Sequence, residues 1–508
     1  MSENQSALNR REFFARSALG ASATAVGVGG LNGLVARAAY GGTPPGSGND
    51  VGYGPLRPAG DDLALPPGFQ YRVISNEGDQ MDDDFPTPKA MDGMATFPGP
   101  NGNILLVRNH EDNQAGAVLR PRPAGSTSTS AGILNSVLDT DYGPRAFAYD
   151  AYAGGGTTTL EVEPRGQRRL VRQYWSLVGT LRNCAGGPTP WGSWLSCEET
   201  LEASSPTGYA QNHGYIFEVP IDTVPGTPVI PVAMKHMGRF AHEAVAVDPA
   251  TGIVYETEDQ GEGSGFYRWV PAVKPARPGD LASPAGVFQM LKIAGVDNYE
   301  TAINQAIGVK LPVEWVTIAN PDPLPVTGTD PVTNTTLSAV FLAGYALGGA
   351  RFRRLEGCWH SSGQIIFVST NGGNEGFGQV WVYDPSAETL MLLVESPNHH
   401  VFDGPDNICV SPRGGMIVCE DATAAQYLRG ISPSGQLFDF ARNLRNTIEF
   451  AGACFSPDGQ TLFVNLYGRG NVRTVQPYKA AVQKVVGPEP FERAATVAIW
   501  GPWAAGPL

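Results

Sequence analysis

Runs of bulky apolar residues recur along the chain as ILLV (104–107), WLSC (194–197), IVYE (253–256), IIFV (365–368), MIVC (416–419) and LFVN (462–465). Each follows a turn built from Gly, Pro, Asp or Asn, and that turn follows a shorter run of small and apolar residues. Each ends in polar side chains. Strand, tight turn, strand is the element this pattern predicts. The copies span 92–112, 182–200, 241–260, 355–373, 403–422 and 450–468. One such hairpin cannot bury both its faces alone, so the copies must stack on one another. The expected fold class is all-β, a six-bladed β-propeller with loop and short-helix insertions.

The polar ends of these hairpins are acidic where strands prefer branched apolar side chains. The stretch GRFAHEAVAVDPATGIVYETEDQ (238–260) alone holds His242, Glu243, Glu256, Glu258 and Asp259. Spacing within the copies is regular. Cys184 precedes Glu198 by fourteen positions, Glu243 precedes Glu258 by fifteen, Glu356 precedes Asn371 by fifteen, and Asp406 precedes Glu420 by fourteen. In a hairpin, both members of each pair then fall at the same end of adjacent strands. In a propeller that end is the mouth of the central channel, where Glu111, Glu198, Glu258, Glu356, Asp406 and Glu420 are expected to converge. Crowded carboxylates repel unless cations neutralise them, so the pattern points to bound metal. Oxygen donors suit hard ions such as calcium, and a single thiolate, for which Cys184 is the candidate, admits a transition metal such as iron. From the residues alone, Cys184 is equally a buried structural cysteine.

Composition agrees with a β fold: 63 glycines and 42 prolines accompany only 17% charged residues, as turns and long loops require. Forty-nine acidic against 35 basic residues give a net charge of −14. That field repels polyanions, so nucleic acid is not an expected partner. Residues 1–40 read as a twin-arginine export signal: Arg10 and Arg11, then Phe13, an uncharged Ala/Gly-rich stretch, and a cleavage candidate at Ala36-Arg37-Ala38. The stretch is too short and too poor in Leu, Ile and Phe for a stable membrane span. The expected partners are therefore the twin-arginine translocation machinery and small substrates, and the expected location is periplasmic or secreted. That route carries proteins already folded, which favours buried free cysteines over disulfides for the six present. Residues 41–66 read as a Gly/Pro-rich lead-in and 67–508 as one propeller domain. Within it, 271–350, with NYETAINQAIGVKLPVEW (298–315), interrupts the repeat and reads as an insertion with a short helix.

NCAGGPTPWGSWLSCEE (183–199), GRFAHEAVAVDPATGIVYETED (238–259), RFRRLEG (351–357), DGPDNICVSPRGGMIVCED (403–421) and FSPDGQTLFVN (455–465), with the arginine-pair signal, resemble the PhoX-type alkaline phosphatases over nearly the whole chain. The resemblance implies a six-bladed propeller, export, and hydrolysis of phosphate monoesters at a mixed iron(III) and calcium cluster with a bridging oxo group. Carried over by residue, it makes Cys184 an iron ligand and Glu258 and Glu356 iron or bridging ligands. Glu198, Asp406, Asn407 and Glu420 become calcium ligands, with Glu111 and Glu243 in the metal set. Arg354 would bind the phosphoryl oxygens as a guanidinium fork, although from the residues alone it is as easily a surface arginine. Two other readings stand beside this one: a calcium-dependent propeller lactonase or esterase, which leaves Cys184 and Arg354 unexplained, and a non-catalytic calcium-binding propeller.

Overall fold

A computed structural model describes residues 52–112, 143–206, 208–422, 425–468 and 493–508. The expected export signal lies outside the described residues. Among them the protein is β-structure throughout, apart from one α-helix, Ala339–Ala346, and short 3₁₀ turns. No described helix is long and apolar enough to cross a membrane.

Six hairpins share one construction. Their inner strands are Met91–Pro98, Asn183–Pro188, His242–Val247, Leu355–Ser361, Pro405–Val410 and Phe450–Phe455, each paired antiparallel with the apolar strand that follows it. The turns explain why these sequences reverse. In VDPATG, the Asp248 carboxylate accepts the Ala250 amide at 2.8 Å and the Thr251 hydroxyl at 2.6 Å, and Gly252 supplies a φ of 78°. Each inner strand packs on the next, and the sixth returns to the first, closing a ring.

Outer strands extend each hairpin away from the axis, but not into six equal sheets. There are four-stranded sheets on the first and last hairpins, a three-stranded sheet on the second and a six-stranded sheet on the fifth. The third and fourth hairpins share one nine-stranded sheet, because Lys310–Thr317 pairs with Thr389–Glu395. The fold is thus mostly β and propeller-like, with its sheets fused where equal blades were expected. Residues 271–350 are only partly extra. Gly286–Ile293 and Lys310–Thr317 continue the third sheet, so the second half of NYETAINQAIGVKLPVEW is strand rather than helix. The short helix lies later, after the Thr327–Thr329/Thr336–Ser338 hairpin, with Ser338 as its N-cap. The expected lead-in also joins the sheets: Leu63–Leu65 pairs with Leu437–Asn443 in the six-stranded sheet. Gln70–Asn76 pairs with Ala495–Trp500, tying the two ends of the described chain into one sheet.

Apolar side chains fill the space between sheets. Phe266 stacks on Phe367 at 4.2 Å, and Phe69, Phe440 and Trp503 pack edge and face near the closing sheet. Trp194 and Trp381 are buried in such layers, as is Cys197, and all six cysteines are buried and free.

Candidate metal centre

All six inner strands carry a register irregularity near their start: between Met91 and Met94, Asn183 and Gly186, His242 and Val245, Leu355 and Cys358, Pro405 and Ile408, and Ala451 and Cys454. A bulge adds a residue that the partner strand does not match and re-aims its side chain. The first residues inside these bulges are Asp92, Cys184, Glu243, Glu356, Asp406 and Gly452. The ligating atoms of Glu243, Glu356 and Asp406 lie within 4.8 Å of one another, as do those of Cys184, Glu199 and Glu243, so the two groups share Glu243. The second bulge residues are small except Asn407. A Cβ on Gly93 would press on the backbone of Cys184 and Ala185, and one on Gly357 on the backbone of Asp406 and Ile408. Small residues here allow the strands to meet at the axis.

One hydrogen bond recurs in every hairpin. The residue just past the second strand donates its N–H to the carbonyl two positions before the bulge residue, or three positions before it in the sixth hairpin. The pairs are Glu111 to Ala90 at 2.9 Å, Glu199 to Arg182 at 3.0 Å, Asp259 to Ala241 at 3.0 Å, Thr370 to Arg354 at 2.9 Å, Asp421 to Gly404 at 2.7 Å and Tyr467 to Glu449 at 3.1 Å. Glu111, Glu199, Asp259, Thr370, Asp421 and Tyr467 therefore form a rim over the bulge ring.

Side chains alternate along a strand, and this separates the expected ligands into two sets. Glu356, Asp406, Glu243 and Cys184 are brought together, and Glu111 joins at the rim, where it accepts from Arg182 at 3.3 Å and from the Tyr467 hydroxyl at 2.5 Å. Asn407 bonds Asp406 at 2.8 Å and accepts the Gly452 amide. Glu198, Glu258 and Glu420 sit one residue before the rim and turn the other way. Glu198 accepts from the Leu181, Gly214 and Tyr215 amides and His213. Glu258 accepts from the Gly265 amide, the Tyr267 hydroxyl and Ser338. Glu420 accepts from the Asp403 amide and Arg429. The carboxylates of Glu198 and Glu258 are spent on protein donors, Glu420 keeps one buried oxygen without a partner, and their neighbours Glu199, Asp259 and Asp421 occupy the rim.

Electrostatics at the axis are those of unneutralised acids. Burial, reinforced by Asp421, pushes the Asp406 carboxyl up to about 8, against the pull of Arg354. Burial also raises Glu243 and Glu356 well above the usual carboxylate range, each reinforced by Asp406 and Asp259. Asp92 is raised the same way, with Glu111, Asp406 and Glu243 adding to burial, and the Cys184 thiol is raised by burial and then by Glu243 and Glu199. Two guanidinium groups oppose this charge. Arg354 bonds Glu356 at 2.6 Å and Asp259 at 3.1 Å, and Arg182 bonds Glu199 at 2.7 Å.

The family model described as alkaline phosphatase PhoX matches residues 51–470. The chain belongs to the PhoX alkaline phosphatase family. Among solved structures, Pseudomonas fluorescens PhoX in complex with vanadate, described as a transition state analogue, has a TM-score of 0.62 at 18% identity, covering 89% of this chain and 98% of that one. It shares the fold. A gluconolactonase from Xanthomonas campestris covers 88% of this chain and 99% of its own at 11% identity, with a TM-score of only 0.32. No curated protein sequence matches.

Beside the cluster of this PhoX-family chain opens a cleft of about 540 Å³, lined among others by Arg354, Asn371, Phe377, Asp421, Gln426 and Glu449. The sequence did not single out Asp92, Arg182, Glu199 and Asp421, and Asp259, noted among the acids of 238–260, stood outside the expected ligands. The doublets Glu198-Glu199, Glu258-Asp259 and Glu420-Asp421 held the signal for three of them, since one member of each must face the other way. Arg182 was signalled by spacing: Arg182-Asn183-Cys184 matches Arg354-Leu355-Glu356.

Proposed function

We propose that the protein hydrolyses phosphate monoesters at the acidic ring, as an exported metal-dependent phosphatase built on six blades, the nine-stranded sheet counting as two. The six equivalent bulges support the blade count. The convergence of Cys184, Glu199, Glu243, Glu356 and Asp406 carries the chemistry. So many buried acids beside two arginines are costly without cations, and the donor set fits the expected ions, because carboxylate oxygens suit calcium and the lone thiolate suits iron(III). Cys184, Glu199 and Glu243 would hold iron, and Glu243, Glu356, Asp406, Asp92 and the rim acids would share in holding iron and calcium. Bound metal would supply Lewis acidity, neutralising the phosphate and lowering the pKa of the attacking water. The chain itself supplies position. Arg354 lines the cleft, and its planar fork matches two phosphoryl oxygens, so it orients the ester and offsets the charge of the equatorial oxygens as water attacks phosphorus and the alcohol leaves in line. Glu356 and Asp259 hold that fork in place. The arginine-pair signal supports export through the twin-arginine machinery to the periplasm or beyond.

Metal analysis of protein purified without added metal, with its visible absorption and its turnover of p-nitrophenyl phosphate in calcium, tests this reading. Iron and calcium together, with colour and turnover both lost in Cys184→Ala, are the expected results. Calcium alone, with Cys184→Ala unchanged, refutes it.

A further inference from the structure

We propose that Arg182 is a second phosphoryl-binding arginine, acting with Arg354; the proposal rests on the phosphatase reading above. The two residues hold the same place in two different hairpins. Each lies two positions before its bulge residue, Cys184 for one and Glu356 for the other, and each carbonyl accepts the recurring rim amide. Both adopt the left-handed conformation, φ 50° at Arg182 and 41° at Arg354, as do Ala90 at 49° and Gly404 at 59° at the same place in their hairpins, so this backbone belongs to the hairpin entry and the side chain is what sets the two arginines apart. Their side chains make matching bonds. Each reaches a rim acid of the preceding hairpin, Glu111 for Arg182 and Asp259 for Arg354, and an acid of its own hairpin, Glu199 and Glu356 respectively. Those last two acids belong to the two ligand groups that share Glu243, so one guanidinium stands at each. The Arg182 Nε is buried without a partner. About a third of the side chain is exposed, so the group is held yet reachable, with hydrogen-bonding capacity unspent. Two forks from adjoining ligand groups would grip a tetrahedral phosphoryl group on two edges, as one could not.

The alternative is that Arg182 only balances the charge of Glu111 and Glu199. Metal-loaded wild type, Arg182→Ala, Arg182→Lys and Arg354→Ala separate the two roles when metal content, Tm, kcat, KM and inhibition by inorganic phosphate are measured together. The expected result is that Arg182→Ala keeps its metal, loses about 100-fold in kcat/KM and binds inorganic phosphate about tenfold more weakly, as Arg354→Ala does, with Arg182→Lys recovering part of each. Unchanged phosphate inhibition in Arg182→Ala overturns the proposal, as does loss of metal from both Arg182 variants. Should the wild type turn over no ester, calorimetric titration with inorganic phosphate decides: binding weakened by Arg182→Ala upholds the anion site while the phosphatase reading falls, and no binding to wild type overturns both.

Discussion

Glu258 and Asp259 are covalent neighbours with opposite work. Glu258 is buried at about 7, raised by burial and held down by Ser338, Tyr267 and the Gly265 amide. Those three donors belong to the wall around the site, and Ser338 is also the cap of the helix Ala339–Ala346. Glu258→Gln puts an amide NH₂ where one oxygen now accepts from both Tyr267 and Gly265, and should cost about 2–3 kcal/mol in denaturant unfolding. Asp406→Asn should do the reverse in metal-stripped protein. Removing one of the repelling carboxylates at the axis should raise its unfolding midpoint, while the same change weakens metal retention against a chelator. Opposite signs at the two positions would separate the acids that hold the protein from those kept for a cation.

At the scale of one element, the hairpin is a device for delivering three groups: an entry residue, a bulge residue and a rim residue. The sixth hairpin departs from the set. It offers Gly452 in the bulge, at φ 63°, with its amide taken by Asn407. A Cβ there would strike the Asp92 carbonyl, so no ligand can stand at that place. Gly452→Ala should cost about 2 kcal/mol or more and disturb the adjoining Asp92, read as a lower Tm together with faster metal loss. Strand alternation also explains why the site was half legible in the sequence. The spacing of fourteen or fifteen located the correct end of each hairpin. It could not tell Glu198 from Glu199 or Glu420 from Asp421, because phase is fixed by the bulge on the partner strand, and spacing counted along the chain does not say where the pairing slips.

Over the whole molecule, closing the ring concentrates charge that no single hairpin would feel. Asp406 at about 8, and Glu258 and Glu420 at about 7, all lie above their values in an unfolded chain. The folded state then binds more protons than the unfolded state between about pH 4 and 8, so stability falls as pH rises through that window. His213 acts in the same direction. Burial opposes its charge, but Glu198 and Asp150 lift it to about 9, so the stability it adds is present at low pH and lost as pH climbs from about 6.5 to 9. His110, His236, His242 and His360, lowered by burial, act the opposite way up to about pH 6.5, so the loss belongs above it: chelator-stripped protein should lose at least about 5 °C in Tm between pH 7 and pH 9. With calcium and iron restored, bound cations take the place of protons and the loss should shrink. A flat pH profile for the stripped protein would mean that the acids of the axis are not crowded in solution.

The sequence by itself determined the hairpin repeat, the acidic ends and the family, because period-two patterning, turn residues and motif order are local properties of the chain. It also marked Cys184, Glu243, Glu356 and Asp406, through spacing that any hairpin must honour. Only the tertiary structure decided how the sheets fuse through Lys310–Thr317, which member of each acidic doublet turns inward, and that Arg182 and Arg354 each pair with a rim acid of the preceding hairpin. Those depend on bulge register and on the approach of residues far apart in sequence, such as Glu199 to Glu243 and Glu243 to Asp406, which no local pattern encodes.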